Sequence, residues 1–267
     1  MMMATRPAVP RSTDSSSLFS DRQIVALQKK VRRPILLQGL PGVGNVGKIA
    51  VELIVEQRRL KPVLTFPTDR KPGLVLVQPN HLIAFPQMLL YHLRVKRQDF
   101  LLLTGDMQPA SEEATYDLAA SLVSLLEKLE CPAIITLGGI GLQEPSDEHQ
   151  VYVTGNDRAL IAELKKAGAN GSIHGVVGPI IGLSGIMLGV ADKRIAAAAL
   201  LAESTAHPFF ADLRGAEQLL HLLDRKYHLK INLRELRESI DAAERLLEHG
   251  APAGELPKKQ DETSYIG

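Results

Sequence analysis

The strongest constraint on the fold of this chain is a set of short runs that carry no polar face. Pro34-Ile35-Leu36-Leu37, Phe100 to Thr104 and Ala133 to Leu137 are apolar almost throughout. A strand that alternates apolar and polar residues buries one face, whereas a strand apolar on both must be covered on both. Each run passes into a glycine-rich or polar loop: Gln38 to Lys48, then Gly105-Asp106-Met107-Gln108-Pro109, then Gly138-Gly139-Ile140-Gly141. Helical stripes separate the runs. Val46, Ile49, Ala50, Leu53 and Ile54 follow the first loop at helical spacing, to about Leu60. After the second, Ser111 caps a helix with Glu112 and Glu113 in its first turn and a stripe of Leu118, Leu122, Leu125, Leu126 and Leu129. Strand alternating with helix predicts an α/β fold with a mostly parallel sheet and helices on both faces. Its loops gather at the carboxyl ends of the strands, where ligands bind in such folds.

The remaining segments fill in this frame. Asp21 to Lys30 is amphipathic, capped by Ser20, and is expected to dock through Ile24, Val25 and Leu27. Pro62 to Phe66 reads as a strand. Leu74 to Val77 and Leu82 to Phe85 form a hairpin around Gln78-Pro79-Asn80-His81, whose apolar content suggests self-association. Met88 to Val95 fits strand or helix equally. Val151 to Val153 is a short strand, and Asp157 caps a helix that stops at Gly168. Gly178 to Gly185 is a third glycine-rich passage. Ile195 to Ala202 is helical by propensity, but its place before Glu203-Ser204-Thr205 favours a closely packed buried strand. Two amphipathic helices follow, one on Leu213, Ala216, Leu220, Leu223 and Tyr227, the other on Leu233, Leu236, Ile240, Ala243 and Leu247. The expected organisation is a disordered leader over 1–20, one α/β domain over 21–250 and a flexible polar tail over 251–267.

Composition narrows the function classes. With 31 basic and 30 acidic residues the net charge is +1, so nothing global directs the chain to nucleic acid or a membrane. The absence of Trp and an aromatic content of 4% remove the usual stacking platforms for single strands. No apolar run reaches the roughly 18 residues of a spanning helix. The single cysteine, Cys131, fits a reducing cytosol and reads as a small buried hydrophobe. A cytoplasmic protein is expected. The eight histidines include no H-E-x-x-H or comparable spacing, so no metal is assigned; His81, His149 and His174 read as loop or strand-edge residues.

The first loop admits two readings. Gly42, Gly44 and Gly47 fit G-x-G-x-x-G, and Gly42 to Lys48 also fits G-x-x-x-x-G-K, although Ile49 stands where a phosphate loop needs a hydroxyl. An acidic residue about 20 positions on would support a dinucleotide site. The nearest, Asp69, lies late and follows Pro67. As a cradle the loop would offer Gly42, Gly44, Asn45, Gly47 and Lys48; alternatively its glycines permit close backbone packing. Asp106, Glu144, Glu203 and His207 would lie on the same rim. They suit acid/base work, or, in the favoured reading of Asp106 and Glu203, acceptance of hydrogen bonds from loop N–H groups. Ser204 to His207 lacks the nucleophile-elbow pattern.

Taken together, Gly39 to Gly47, Leu103 to Pro109, Thr136 to Gly141, Gly178 to Gly185 and Leu200 to Thr205 resemble, in this order, the proteasome assembly chaperone 2 family in its prokaryotic, mainly archaeal form. The resemblance covers about Pro34 to Leu247. It implies a three-layer α/β/α sandwich of the phosphorylase/hydrolase-like kind, no established catalytic activity and no cofactor. It also implies a homo-oligomer that binds proteasome α-subunits. Some members end in a hydrophobic-tyrosine-any tripeptide that inserts between α-subunits. Here the end is Tyr265-Ile266-Gly267, with the tyrosine third from the end instead of second. A tail with Tyr265 and Ile266 behind Lys258, Lys259, Asp261 and Glu262 has the form of a tethered peptide ligand. The alternative function is a nucleotide- or nucleoside-binding enzyme using the glycine loop with Asp106 and Glu203.

Overall fold

The structure is a computed structural model that describes residues 18–66, 74–78, 80–142, 145–146, 149–173, 175, 178–205, 211–234 and 236–240. In chain order its elements are α1 (Asp21–Lys30), β1 (Ile35–Gly39), a 3-10 turn (Val43–Asn45), α2 (Val46–Gln57), β2 (Pro62–Thr65), β3 (Leu76–Val77), β4 (Ile83–Ala84) and β5 (Met88–Val95). There follow β6 (Gln98–Gly105), α3 (Glu112–Lys128), β7 (Ala133–Leu142), β8 (Val151–Gly155), α4 (Arg158–Lys166), α5 (Leu183–Val190), β9 (Ala196–Thr205) and α6 (Leu213–Tyr227).

Seven strands form one sheet in the order β2-β5-β6-β1-β7-β9-β8. The three apolar runs lie side by side in its centre: β1 pairs in parallel with β6 and β7, and β9 extends the parallel block beside β7. The outer pairings β2–β5, β5–β6 and β8–β9 are antiparallel. Only Lys96 and Arg97 separate β5 from β6, and a two-residue link admits no other direction. The ambiguous Met88 to Val95 is therefore a strand, paired with β6 along its whole length.

Alternation along the central strands sorts their residues into two cores. Leu37, Phe100, Leu102, Ile135 and Leu200 face one core with α2, α4 and α6, where Ala50, Ile54, Leu164, Leu219 and Leu223 lie. Leu36, Leu101, Leu103 and Ile134 face the other, with Ile24 and Leu27 of α1, Leu122 and Leu126 of α3, and Leu183 and Met187 of α5. Three layers result, even-numbered helices on one face and odd-numbered on the other. The alanine-rich segment is a strand because β7 pairs with it over ten residues and β8 flanks its other edge, which overrides helix propensity.

Ser20, Ser111 and Asp157 cap α1, α3 and α4 as expected. Two readings change. Val25 does not dock: it is 47% exposed, while Ile24 and Leu27 are buried. The passage around Gly182 is not all loop, because α5 begins at Leu183. Leu183, Ile186, Met187, Leu188 and Val190 leave that helix no polar stripe, and Gly185 and Gly189 lower its propensity, so periodicity could not reveal it. Phe19 is buried, edge-on to Phe66 at 5.5 Å. The second terminal helix is followed through 236–240, and the rest of it lies outside the described residues.

Candidate functional site at the carboxyl ends of the strands

Because β1, β6, β7 and β9 run in parallel, Gly39, Gly105, Leu142 and Thr205 all end on one edge of the sheet. The glycine loop lies across that edge. A Cβ on Gly47 would stand 2.1 Å from the Leu137 carbonyl oxygen, and one on Gly39 would stand 1.9 Å from the carbonyl oxygen of Gly47. The first turn of α2 is thus seated directly on the backbone of β1 and β7. Gly44, at φ +60°, is buried, and a Cβ there would fall 2.3 Å from Ser204 Oγ and 2.9 Å from Asp212 Cβ. Its carbonyl accepts from the Asp212 N–H at 2.8 Å. Asn45 follows at φ +51° as the helix N-cap, without a side-chain hydrogen bond to the helix. The open side of the loop is at Gly42, where a Cβ would meet only the Leu40 oxygen at 4.0 Å.

Two carboxylates hold the neighbouring loops. Glu203 is buried near the end of β9. One oxygen accepts from the Ser146 N–H at 2.8 Å, the Ser146 hydroxyl and the Gln150 N–H at 3.2 Å; the other accepts from Tyr152 Oη at 3.0 Å. Burial pushes this carboxyl up, but the donors of Ser146, Tyr152 and Gln150 outweigh it and hold the group below its ordinary value. Asp212 caps α6 by accepting from the Gly215 N–H at 2.8 Å. It also meets His149 Nε2 at 3.6 Å and accepts from Ser204, and these partners again outweigh burial and lower its pKa. The order is serine to aspartate to histidine, so the imidazole is not placed to take the serine proton.

Lys48 and Asp106 belong to a second polar group, beside the end of β6. Lys48 Nζ pairs with Glu52 Oε1 at 2.6 Å, and Thr104 Oγ1 donates to the same oxygen at 3.4 Å. Burial raises the Glu52 pKa against the opposing pull of Lys48, and the charge of Asp106 adds to the rise. Asp106 itself accepts from the Gln87 N–H at 2.8 Å. Gln108 links the loop to the opposite face: its Nε2 donates to the Pro41 oxygen at 2.7 Å, and its Oε1 accepts from the Leu183 N–H at 3.0 Å. Close by, the buried Gln38 accepts from Ser184 Oγ at 3.2 Å.

The structure therefore brings Gly44 and Glu203 to one side of the rim and Lys48 and Asp106 to another. Asp69, Glu144, His174, His207 and the segment Tyr265-Ile266-Gly267 lie outside the described residues. Among the described residues no group of three His, Cys, Asp or Glu is placed to hold a metal ion. No described helix is long and apolar enough to cross a membrane. Cys131 is buried, and burial pushes its thiol up to about 11. Sequence reading missed Asp212 and Tyr152, and placed His149 in a loop or at a strand edge without its partner Asp212. Asp212 had a readable signal, an aspartate directly before a helical stripe with Gly215 three residues on.

Comparison with known proteins places this architecture. The model of the PAC2 family matches residues 36–249, which take in the sheet from β1 to β9 and the helices α2 to α6. The chain belongs to the PAC2 family. The chain is also similar to a protein of Methanocaldococcus jannaschii described as uncharacterized, MJ1210, 27% identical over 242 residues and covering 87% of this chain and 92% of that one. Among solved structures, the chain is similar to Pyrococcus furiosus PbaB, described as an archaeal proteasome activator. The TM-score is 0.75 at 24% identity, covering 84% of this chain and 95% of PbaB. It is also similar to Pyrococcus furiosus PbaA, described as an archaeal homolog of proteasome-assembly chaperone, with TM-score 0.68 at 21% identity over 82% and 88% of the two chains. At these identities the structural likeness establishes the α/β fold. In this PAC2 chain Gly44 and Gly47 lie tightly against their own fold, Gly42 does not, and Glu203 and Asp212 accept hydrogen bonds from neighbouring segments.

Proposed function

We propose that this chain is a non-enzymatic, cytoplasmic proteasome assembly chaperone-like protein that binds proteasome α-subunits as a homo-oligomer. The observation that carries the reading is membership of the PAC2 family, whose model matches residues 36–249. The rim geometry agrees with it. Glu203 takes four donated hydrogen bonds from its own chain, and Gly44 and Gly47 are pressed against protein, so these groups have structural work. The decisive experiment mixes the purified full-length chain with purified proteasome α-subunits, free and assembled, and follows co-elution. Co-elution with either state supports the reading; none with both removes it. The reading also gives Tyr265-Ile266-Gly267 a docking role. Deleting Ser264 to Gly267 then weakens subunit binding, and unchanged affinity would assign the contact to the folded surface instead.

A further inference from the structure

We infer that the β3–β4 hairpin is the surface through which copies of this chain associate. The inference rests on the homo-oligomeric reading above and names the face that carries it. In the hairpin Leu76 pairs with Ala84 and Val77 with Ile83. Side chains alternate across a ribbon, so Val75, Val77, Ile83 and Phe85 share one face and Leu74, Leu76 and Ala84 the other. The second face is half-buried. The first is open to solvent, with Val77 66% and Ile83 69% exposed and Val75 and Phe85 also exposed. An outward apolar face on a separate two-stranded ribbon is an unfinished layer, because such a ribbon has little stability of its own.

The charge pattern favours a second copy over a charged partner. From Pro72 to Leu93 there is no Asp, Glu, Lys or Arg, although at the 23% charged content of the chain those 22 positions would hold about five. Soluble proteins usually guard exposed strands with charge, most often lysine. A charged patch meeting its own copy across a two-fold axis sets like charge against like, and that penalty is absent here. A strongly acidic or basic partner would find no counter-charge on the hairpin. A second copy of the same face would be covered apolar on apolar, with no buried unpaired charge. The four exposed side chains of that face offer on the order of 400 Å², within what monomers leave open and about half of the roughly 800 Å² each partner buries in a standard interface.

The test is light scattering on the full-length protein, with Ile83→Lys and Ile83→Glu made separately and then mixed. Ile83 is exposed, so both variants keep the wild-type circular dichroism and melting. The expected result is an oligomeric wild type, at least about 100-fold weaker association in each variant, and recovery when the two are combined. A monomeric wild type, or variants that stay assembled, overturns the inference. Loss in each variant without recovery in the mixture also overturns it, since the hairpin would then meet a different surface. Binding of purified α-subunits by the same samples separates the two proposals. An oligomer that is lost at Ile83 but never bound subunits leaves the hairpin and removes the function. Subunit binding with the oligomer unmoved does the reverse.

Discussion

Replacing Gly47 by alanine tests how the glycine loop is used. The added Cβ would stand 2.1 Å from the Leu137 carbonyl oxygen and 2.6 Å from its carbon. Both atoms are strand backbone in the sheet centre, so α2 must move by about 1 Å to restore an ordinary contact. That helix buries Val46, Ala50, Val51, Leu53 and Ile54. With each of the four larger side chains contributing about 1.5–3 kcal/mol, and a gap of that size forfeiting a quarter to a half of the contact energy, the cost is about 1.5–6 kcal/mol. Alanine returns about 1 kcal/mol in helix propensity, leaving about 0.5–5 kcal/mol of net destabilisation. Gly42→Ala is the control. Its Cβ meets nothing nearer than 4.0 Å, and it is expected to be neutral or stabilising by up to about 1 kcal/mol. Urea unfolding followed by circular dichroism measures both. Equal midpoints for the two variants would refute the close approach, and a loop kept for ligand binding would instead lose ligand at unchanged stability.

Two further outcomes follow from the carboxylates. Glu203→Gln leaves some of the four donors unmatched and should cost about 1–3 kcal/mol. Hydrogen exchange at the Ser146 and Gln150 amides should rise with it, and unchanged protection there would dismiss Glu203 as the anchor. Acid should destabilise the fold through Asp99, Glu203 and Asp212. Each is held below its ordinary value, Asp99 by Arg94, the Arg32 N–H and His92 acting against burial. A depressed folded pKa contributes stability above the unfolded value and loses it as pH falls through the folded one. Glu52, raised by burial, acts in the opposite sense, one group against three. The urea midpoint should therefore hold above about pH 5 and drop below about pH 4, where the unfolded carboxyls take up protons. A midpoint that rises between pH 5 and 3 would contradict this.

Much of the layer architecture was legible in the chain itself. Ile35, Leu36 and Leu37 admit no solvent face, and that local fact places β1 between two helical layers. Ser20, Ser111 and Asp157 announce helix starts through groups a few residues away, and short range is where sequence is most informative. Family membership was legible too, from glycine and acidic motifs at successive strand ends. What sequence could not supply came from distance along the chain. Gly47 meets Leu137, and Glu203 holds Ser146, 57 residues earlier. The helix α5 escaped because it is apolar all round, and periodicity reports burial only where one side stays wet. The outward face of the β3–β4 hairpin has the converse origin. Alternation says which residues share a face, but only tertiary packing decides which face is covered, because burial depends on what other segments bring against it.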